Sequence, residues 1–173
     1  MLEPETGRER SMLAPRLLEG LKILVVEDNL LLAEVTKILL EDSGCRVVGP
    51  AGWLERGLEM SRAEPLDGAI LDINLHGEMS FAIAEVLCAR GVPFIFVTGY
   101  EDRSIVPLAF RLAPRLDKPV TDEHLIEVMV ASFAANRLNS DPQADMLLSA
   151  GHAAGERSLC AREGAARGTR IRR

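Results

Sequence analysis

Between residues 20 and 136, short apolar runs alternate with stretches of helical period, and turn residues separate them. The first run, Lys22-Ile23-Leu24-Val25-Val26, is continuous rather than alternating, the pattern of a strand covered on both faces. Glu27-Asp28-Asn29 closes it, and Asn29 is placed to cap a helix running through Leu40. Leu32, Val35, Thr36, Leu39 and Leu40 form that helix's apolar stripe, and Gly44 stops it. Arg46 to Gly49 reads as a second strand, with Pro50 and Gly52 marking the turn out of it. A helix over Trp53–Arg62 carries Leu54, Leu58 and Met60. Pro65 and Asp67-Gly68 then lead into Gly68-Ala69-Ile70-Leu71, a buried strand that ends in the carboxylate of Asp72.

After His76-Gly77 the pattern predicts a helix over about Ser80–Arg90, with Ile83, Val86 and Leu87 inward, then a fourth strand from Pro93 to Val97 ending at Thr98-Gly99. Ser104 to Leu112 is expected to form a helix with Pro107 in its first turn, the one part of a helix that tolerates proline. Arg115-Leu116-Asp117 makes a short fifth strand that runs into Lys118-Pro119. Thr121 caps the last helix, with Asp122 and Glu123 in the first turn, where negative charge is favourable. Five strands alternating with five helices imply an α/β fold, a doubly wound parallel sheet with helices on both faces. A domain of about 115 residues buries roughly two-thirds of its chain surface and can be stable alone.

Composition changes this picture in three places. Apolar residues make up 47% of the chain but aromatics only 4%, so the core is mainly aliphatic. The charge is uneven: residues 20–135 hold 18 acidic and 10 basic side chains, whereas residues 136–173 hold 4 acidic and 7 basic. The acidic domain is a poor holder of nucleic acid. Residues 1–20 read as a flexible leader, and residues 137–173, rich in Ala, Gly, Ser and Arg, read as a disordered tail. Arg167, Arg170, Arg172 and Arg173 then serve as a solubilising end. No apolar run approaches the ~18 residues of a membrane span, and the N-terminus lacks a signal-peptide layout. Cys45, Cys88 and Cys160 have no metal-ligand spacing and read as thiols in a reducing compartment. The expected localisation is cytoplasmic.

In an open parallel sheet the carboxyl ends of the strands share one edge. Glu27 and Asp28 follow strand one, Asp72 strand three, Thr98 strand four and Lys118 strand five. Three crowded carboxylates repel unless a cation joins them, and their hard oxygens suit Mg²⁺. A hydroxyl and an ammonium across from them suit the oxygens of a phosphoryl group, so the edge reads as a carboxylate that accepts one.

With these residues in place, the chain from about Leu21 to Asn136 resembles the receiver domain of two-component response regulators. The pieces that match are Val25-Val26-Glu27-Asp28, Leu71-Asp72, Val97-Thr98-Gly99 and Asp117-Lys118-Pro119. The resemblance implies a flavodoxin-like (βα)5 sheet in the order 2-1-3-4-5. It also implies Asp72 as phosphoacceptor, Asp28 as a direct Mg²⁺ ligand, Glu27 as a ligand through water and the backbone carbonyl of Asn74 as a further ligand. Thr98 becomes the switch hydroxyl, Lys118 the partner of the phosphoryl group, and Lys118–Pro119 a cis bond.

Two positions depart from the family's pattern: Arg115 stands where most receivers have Tyr or Phe, and His76 where most have Pro. Together with Phe96-Val97-Thr98-Gly99-Tyr100 they resemble the alphaproteobacterial single-domain receivers named for a Phe-Ala-Thr-Gly-X-Tyr motif. In that reading the usual coupling of threonine to an aromatic ring is absent or rerouted through Tyr100. His76 itself reads as a solvated loop residue.

The expected partner is a histidine kinase or histidine phosphotransfer protein. No room for an output domain follows residue 136, so the expected action is by protein contact, as relay, phosphate sink or feedback element. The last helix is apolar nearly all round, with Leu125, Val128 and Met129 on one side and Ile126, Val130 and Phe133 on another; the second stripe is expected to serve a homodimer or partner contact. A receiver that binds partners without phosphorylation is the alternative. A phosphohydrolase of the haloacid-dehalogenase kind needs a second Asp two residues after the nucleophile, where this chain has Asn74. No Gly-x-Gly-x-x-Gly follows strand one, which disfavours a dinucleotide binder.

Overall fold

Alternation along the strands decides the architecture. In β1 (Lys22–Val26), Ile23 and Val25 face one side of the sheet and Leu24 and Val26 the other, and all four are buried. A computed structural model describes residues 17–99 and 105–134. β1 is followed by α1 (Leu30–Asp42), β2 (Arg46–Ala51), α2 (Leu54–Ala63), β3 (Gly68–Leu71), β4 (Asn74–Leu75), β5 (Glu78–Met79), α3 (Phe81–Ala89), β6 (Phe94–Thr98), β7 (Arg115–Asp117) and α4 (Asp122–Met129). The main sheet is parallel in the order β2-β1-β3-β6-β7. Because β4 and β5 form a separate hairpin, this is the expected 2-1-3-4-5 order of sheet strands.

Each face of the sheet has its own core. Leu24, Val26, Ala69, Leu71, Phe94 and Phe96 pack under α2 and α3 with Ile83 and Leu87. Ile23, Val25, Ile70, Ile95 and Leu116 pack under α1 and α4 with Leu40, Leu125 and Met129. Four of the five phenylalanines (Phe81, Phe94, Phe96 and Phe110) meet on the first face, with adjacent ring centroids such as Phe94–Phe96 at 5.2 Å and Phe81–Phe96 at 6.0 Å.

Five expectations change. In α1 the Asn29 cap forms as predicted, its Oδ1 accepting the N–H groups of Leu31 at 3.1 Å and Leu32 at 3.2 Å. The stripe differs, however: Ala33 and Leu40 are buried, while Leu30, Leu31, Leu32, Val35 and Ile38 stand exposed, Leu30 at 82%. Five leucines, with Val35 and Ile38, lie on so many sides of this helix that apolar period alone cannot choose its inner face. β2 continues past Gly49 to Ala51. Gly49 has φ +98°, Gly49–Pro50 is cis, and a Cβ on Gly49 would lie 3.0 Å from the Val25 carbonyl oxygen, so only glycine fits there.

The helix expected over 104–112 is replaced, from residue 105 on, by a 3₁₀ turn at Leu108–Phe110, entered from Pro107 in an extended conformation. Phe110 anchors that turn in the core while Leu108 and Leu112 face solvent. In the last helix, Phe133 does not belong to an exposed stripe with Ile126 and Val130. It is 1% exposed, and Ile126 and Val130 are half-buried against the same core. Phe133 follows Leu125 and Met129 at intervals of four, and the π-helical turn Val130–Ala134 keeps it on their side. Finally, Leu18, within the stretch read as a leader, is fully buried with Leu21, Leu40 and Cys45, and the Gly20 N–H donates to the Gly44 carbonyl at 2.7 Å. Lys118–Pro119 is cis, as the family resemblance implied. Tyr100, Cys160 and both chain termini, including the tail arginines, lie outside the described residues.

Candidate functional site

The sheet's carboxyl edge is assembled by backbone hydrogen bonds just past the strand ends. The Glu27 N–H donates to the Ala51 carbonyl at 3.0 Å, Asp72 N–H to the Val26 carbonyl at 2.8 Å, and Lys118 N–H to the Thr98 carbonyl at 2.8 Å. The parallel register therefore turns four distant sequence positions into neighbours. Lys118 Nζ lies 2.6 Å from Glu27 Oε2 and 2.6 Å from Asp72 Oδ2. Glu27, Asp28 and Asp72 each bring a carboxylate oxygen within 4.8 Å of the others. Thr98 is fully buried at the end of β6, beside Lys118. Asn74 opens β4, its N–H donating to Asp72 Oδ1 at 3.2 Å and its Oδ1 accepting from Gly77 N–H at 2.7 Å. Every residue chosen from the sequence thus sits on or beside this edge.

Burial and charge pull against each other here. Burial pushes the Glu27 carboxyl above its ordinary value, and the Lys118 ammonium beside it offsets this only in part. Burial alone would lower Lys118, but its hydrogen bonds to Asp72 and Glu27 outweigh that and hold it above its usual value. Among the described residues Lys118 pairs with Glu27 and Asp72 while Asp28 adds a third carboxylate, so these side chains leave an excess of negative oxygen donors. That donor set fits a hard divalent cation, which takes carboxylates, carbonyls and water, and Lys118 already holds two of the three carboxylates as a cation does. A cleft of about 410 Å³ between α1 and α4 opens onto Glu27, Asp72 and Lys118, with Leu32, Val35 and Val97 among its walls.

One participant was missed by sequence reasoning. His76 is an exposed loop residue, as expected, but it also makes contacts: its N–H donates to Asp28 Oδ2 at 2.9 Å, and its ring lies 4.1 Å, centroid to centroid, from that of Trp53. The signal lay in His76-Gly77 between the short extended pairs Asn74-Leu75 and Glu78-Met79, the spacing of a two-residue hairpin. Arg115, where most receivers carry a ring, folds back along β7, with Nε 2.8 Å from Asp117 Oδ1.

Comparison with known proteins agrees with this geometry. The model of the response regulator receiver domain matches residues 23–130. The sensory transduction protein LytT of Bacillus anthracis is 29% identical over 112 residues, which are 63% of this chain and 46% of LytT; the chain spans about half the length of this curated relative. The solution structure of SdrG from Sphingomonas melonis Fr1 is 37% identical, with a TM-score of 0.58 over 65% of this chain and 95% of SdrG. The receiver domain of the sensor histidine kinase PA1611 from Pseudomonas aeruginosa PAO1, solved with a magnesium ion coordinated in its active-site cleft, shares the fold at 21% identity, with a TM-score of 0.59 over 67% of this chain and 98% of that one. A parallel five-stranded sheet whose carboxyl edge gathers Glu27, Asp28, Asp72 and Lys118, within a matched span covering most of the described residues, places the chain in the family of response regulator receiver domains, modules of two-component signalling.

Proposed function

We propose that Asp72 accepts a phosphoryl group from a phosphohistidine of a histidine kinase or phosphotransfer protein. The observation that carries this reading is the contact of Lys118 Nζ with Asp72 Oδ2 at 2.6 Å, inside a pocket with two further carboxylates. An Asp72 carboxylate oxygen attacks phosphorus and forms the new P–O bond, while the P–N bond to the donor imidazole breaks and its electron pair leaves with the imidazole. Lys118 then shifts its charge toward the phosphoryl oxygens, and Thr98 offers them its hydroxyl. Asp28, Asp72 and the Asn74 carbonyl would hold Mg²⁺, with Glu27 reaching it through water. A divalent cation held there would supply positive charge to offset that of the phosphoryl oxygens. Asp72 lines the cleft between α1 and α4.

The output is a contact with a partner protein, in the role of relay, phosphate sink or feedback element. Phe96-Val97-Thr98-Gly99-Tyr100, with Val97 in place of the alanine and Tyr100 directly after the glycine, supports a relation to the alphaproteobacterial Phe-Ala-Thr-Gly-X-Tyr subgroup. Arg115, in place of the usual relay ring, is tied to Asp117. That observation favours the second reading, a receiver whose contacts do not depend on phosphorylation.

Incubation with Mg²⁺ and acetyl phosphate should add the mass of one phosphoryl group, and Asp72→Asn should abolish the gain. A chain that gains no mass from acetyl phosphate or from a phosphorylated histidine donor would sink the first reading in favour of the second.

A further inference from the structure

Asp28 is the most open of the three carboxylates, with 24% of its side chain exposed against 9% for Glu27 and 10% for Asp72. It sits in the loop between β1 and α1, where an unheld carboxylate would rotate freely. A hairpin from the other side of β3 holds it instead. β4 and β5 pair Asn74 with Met79 and Leu75 with Glu78, leaving His76 and Gly77 as a two-residue turn. Both turn residues have positive φ, His76 at 54° and Gly77 at 95°, as a type I′ turn requires. The hairpin is tied down by the buried Leu75 and by Ser80 N–H on the Ile73 carbonyl at 2.9 Å. Its tip therefore delivers the His76 N–H to Asp28 Oδ2 at 2.9 Å and Nδ1 to 3.5 Å from the same oxygen. Trp53, at the start of α2, packs against the imidazole, with ring centroids 4.1 Å apart and planes tilted by 37°.

We propose that His76 is a positioning residue for the divalent cation: the hairpin tip and its imidazole, backed by Trp53, fix one oxygen of Asp28 so that the other faces the pocket shared with Glu27 and Asp72. The inference rests on the reading of that pocket as a cation site. Carboxylate ligands are commonly held by such outer hydrogen bonds, and losing one typically weakens metal affinity about 10- to 100-fold. His76 serves this role because histidine is among the few non-glycine residues that enter the left-handed region readily.

Calorimetric titration of the full chain with Mg²⁺ tests the proposal, comparing the wild type with His76→Gly and His76→Asn. The glycine variant keeps the turn and the N–H hydrogen bond but loses the imidazole that stands 3.5 Å from Asp28 Oδ2 and packs on Trp53, and should bind Mg²⁺ more weakly, by up to about tenfold. Asparagine tolerates positive φ and carries an amide donor, so His76→Asn should recover part of the affinity. A urea midpoint equal to that of the wild type separates this loss from unfolding. Wild-type affinity in both variants overturns the positioning role and leaves the cation site standing. A wild-type chain that takes up no Mg²⁺ overturns both, whatever acetyl phosphate does to Asp72.

Discussion

Two side chains show how far burial alone can set chemistry at a single residue. Cys45 is 6% exposed, with Sγ donating to the Leu18 carbonyl at 3.6 Å, and burial pushes its thiol up to about 11 from 9.0. Because the unfolded chain loses that proton first, the unfolded state gains on the folded one as pH rises from about 9 to 11, and stability falls across that window. At pH 8 the folded protein should therefore be alkylated by iodoacetamide at half-buried Cys88 well before Cys45, as read by peptide mass. Equal rates at both thiols would contradict the packing of Leu18 over Cys45. Lys118 also stands above its usual value, but against its burial, because hydrogen bonds to two carboxylates at 2.6 Å outweigh it. The charges at Glu27, Asp28, Asp72 and Lys118 were legible because each follows a recognisable strand. The clamp on Asp28 was not, because it joins positions 28 and 76 through a hairpin tip.

At the scale of elements, the last helix is the instructive case. Its apolar residues fit two stripes, and only contact with β3 chooses between them. The Phe133 ring covers Gly68 so closely that a Cβ there would meet three ring carbons at 2.9 Å. Gly68→Ala should thus destabilise by about 1–3 kcal/mol through overpacking, and Phe133→Ala by about 3–5 kcal/mol through the cavity it leaves, both read from urea unfolding. A solvent-facing Phe133 would instead leave both variants within about 0.5 kcal/mol of wild type. Helix α1 poses the same problem with the opposite outcome: Leu30, Leu31 and Val35 are left exposed although they resemble core residues in sequence. The helix expected near 104–112 failed for a local reason. Pro107, with ψ 148°, leaves room for only a 3₁₀ turn before Arg115 must rejoin the sheet.

For the molecule as a whole, the sheet separates two cores, and the chain ahead of β1 closes one of them. Leu18 is fully buried among Leu21, Leu40 and Cys45. Leu18→Ala should cost about 2–5 kcal/mol, the range of buried leucine truncations, and a chain lacking residues 1–20 should unfold at lower urea than the full chain. A truncated chain as stable as the full one would return Leu18 to the leader.

The composition of the carboxyl edge was determined by the sequence itself, whereas the strand order was legible only through the resemblance to receiver domains. Continuous apolar runs specify buried parallel strands, and right-handed crossovers then place Glu27, Asp28, Asp72, Thr98 and Lys118 on one edge whatever the side chains do later. Which face of α1 and α4 turns inward, where β2 ends and what holds Asp28 were decided only in the tertiary structure. Those choices depend on contacts between segments distant in sequence, Phe133 on Gly68, Leu18 beside Cys45 and His76 on Asp28, and an apolar pattern records that a residue can be buried without recording what will cover it.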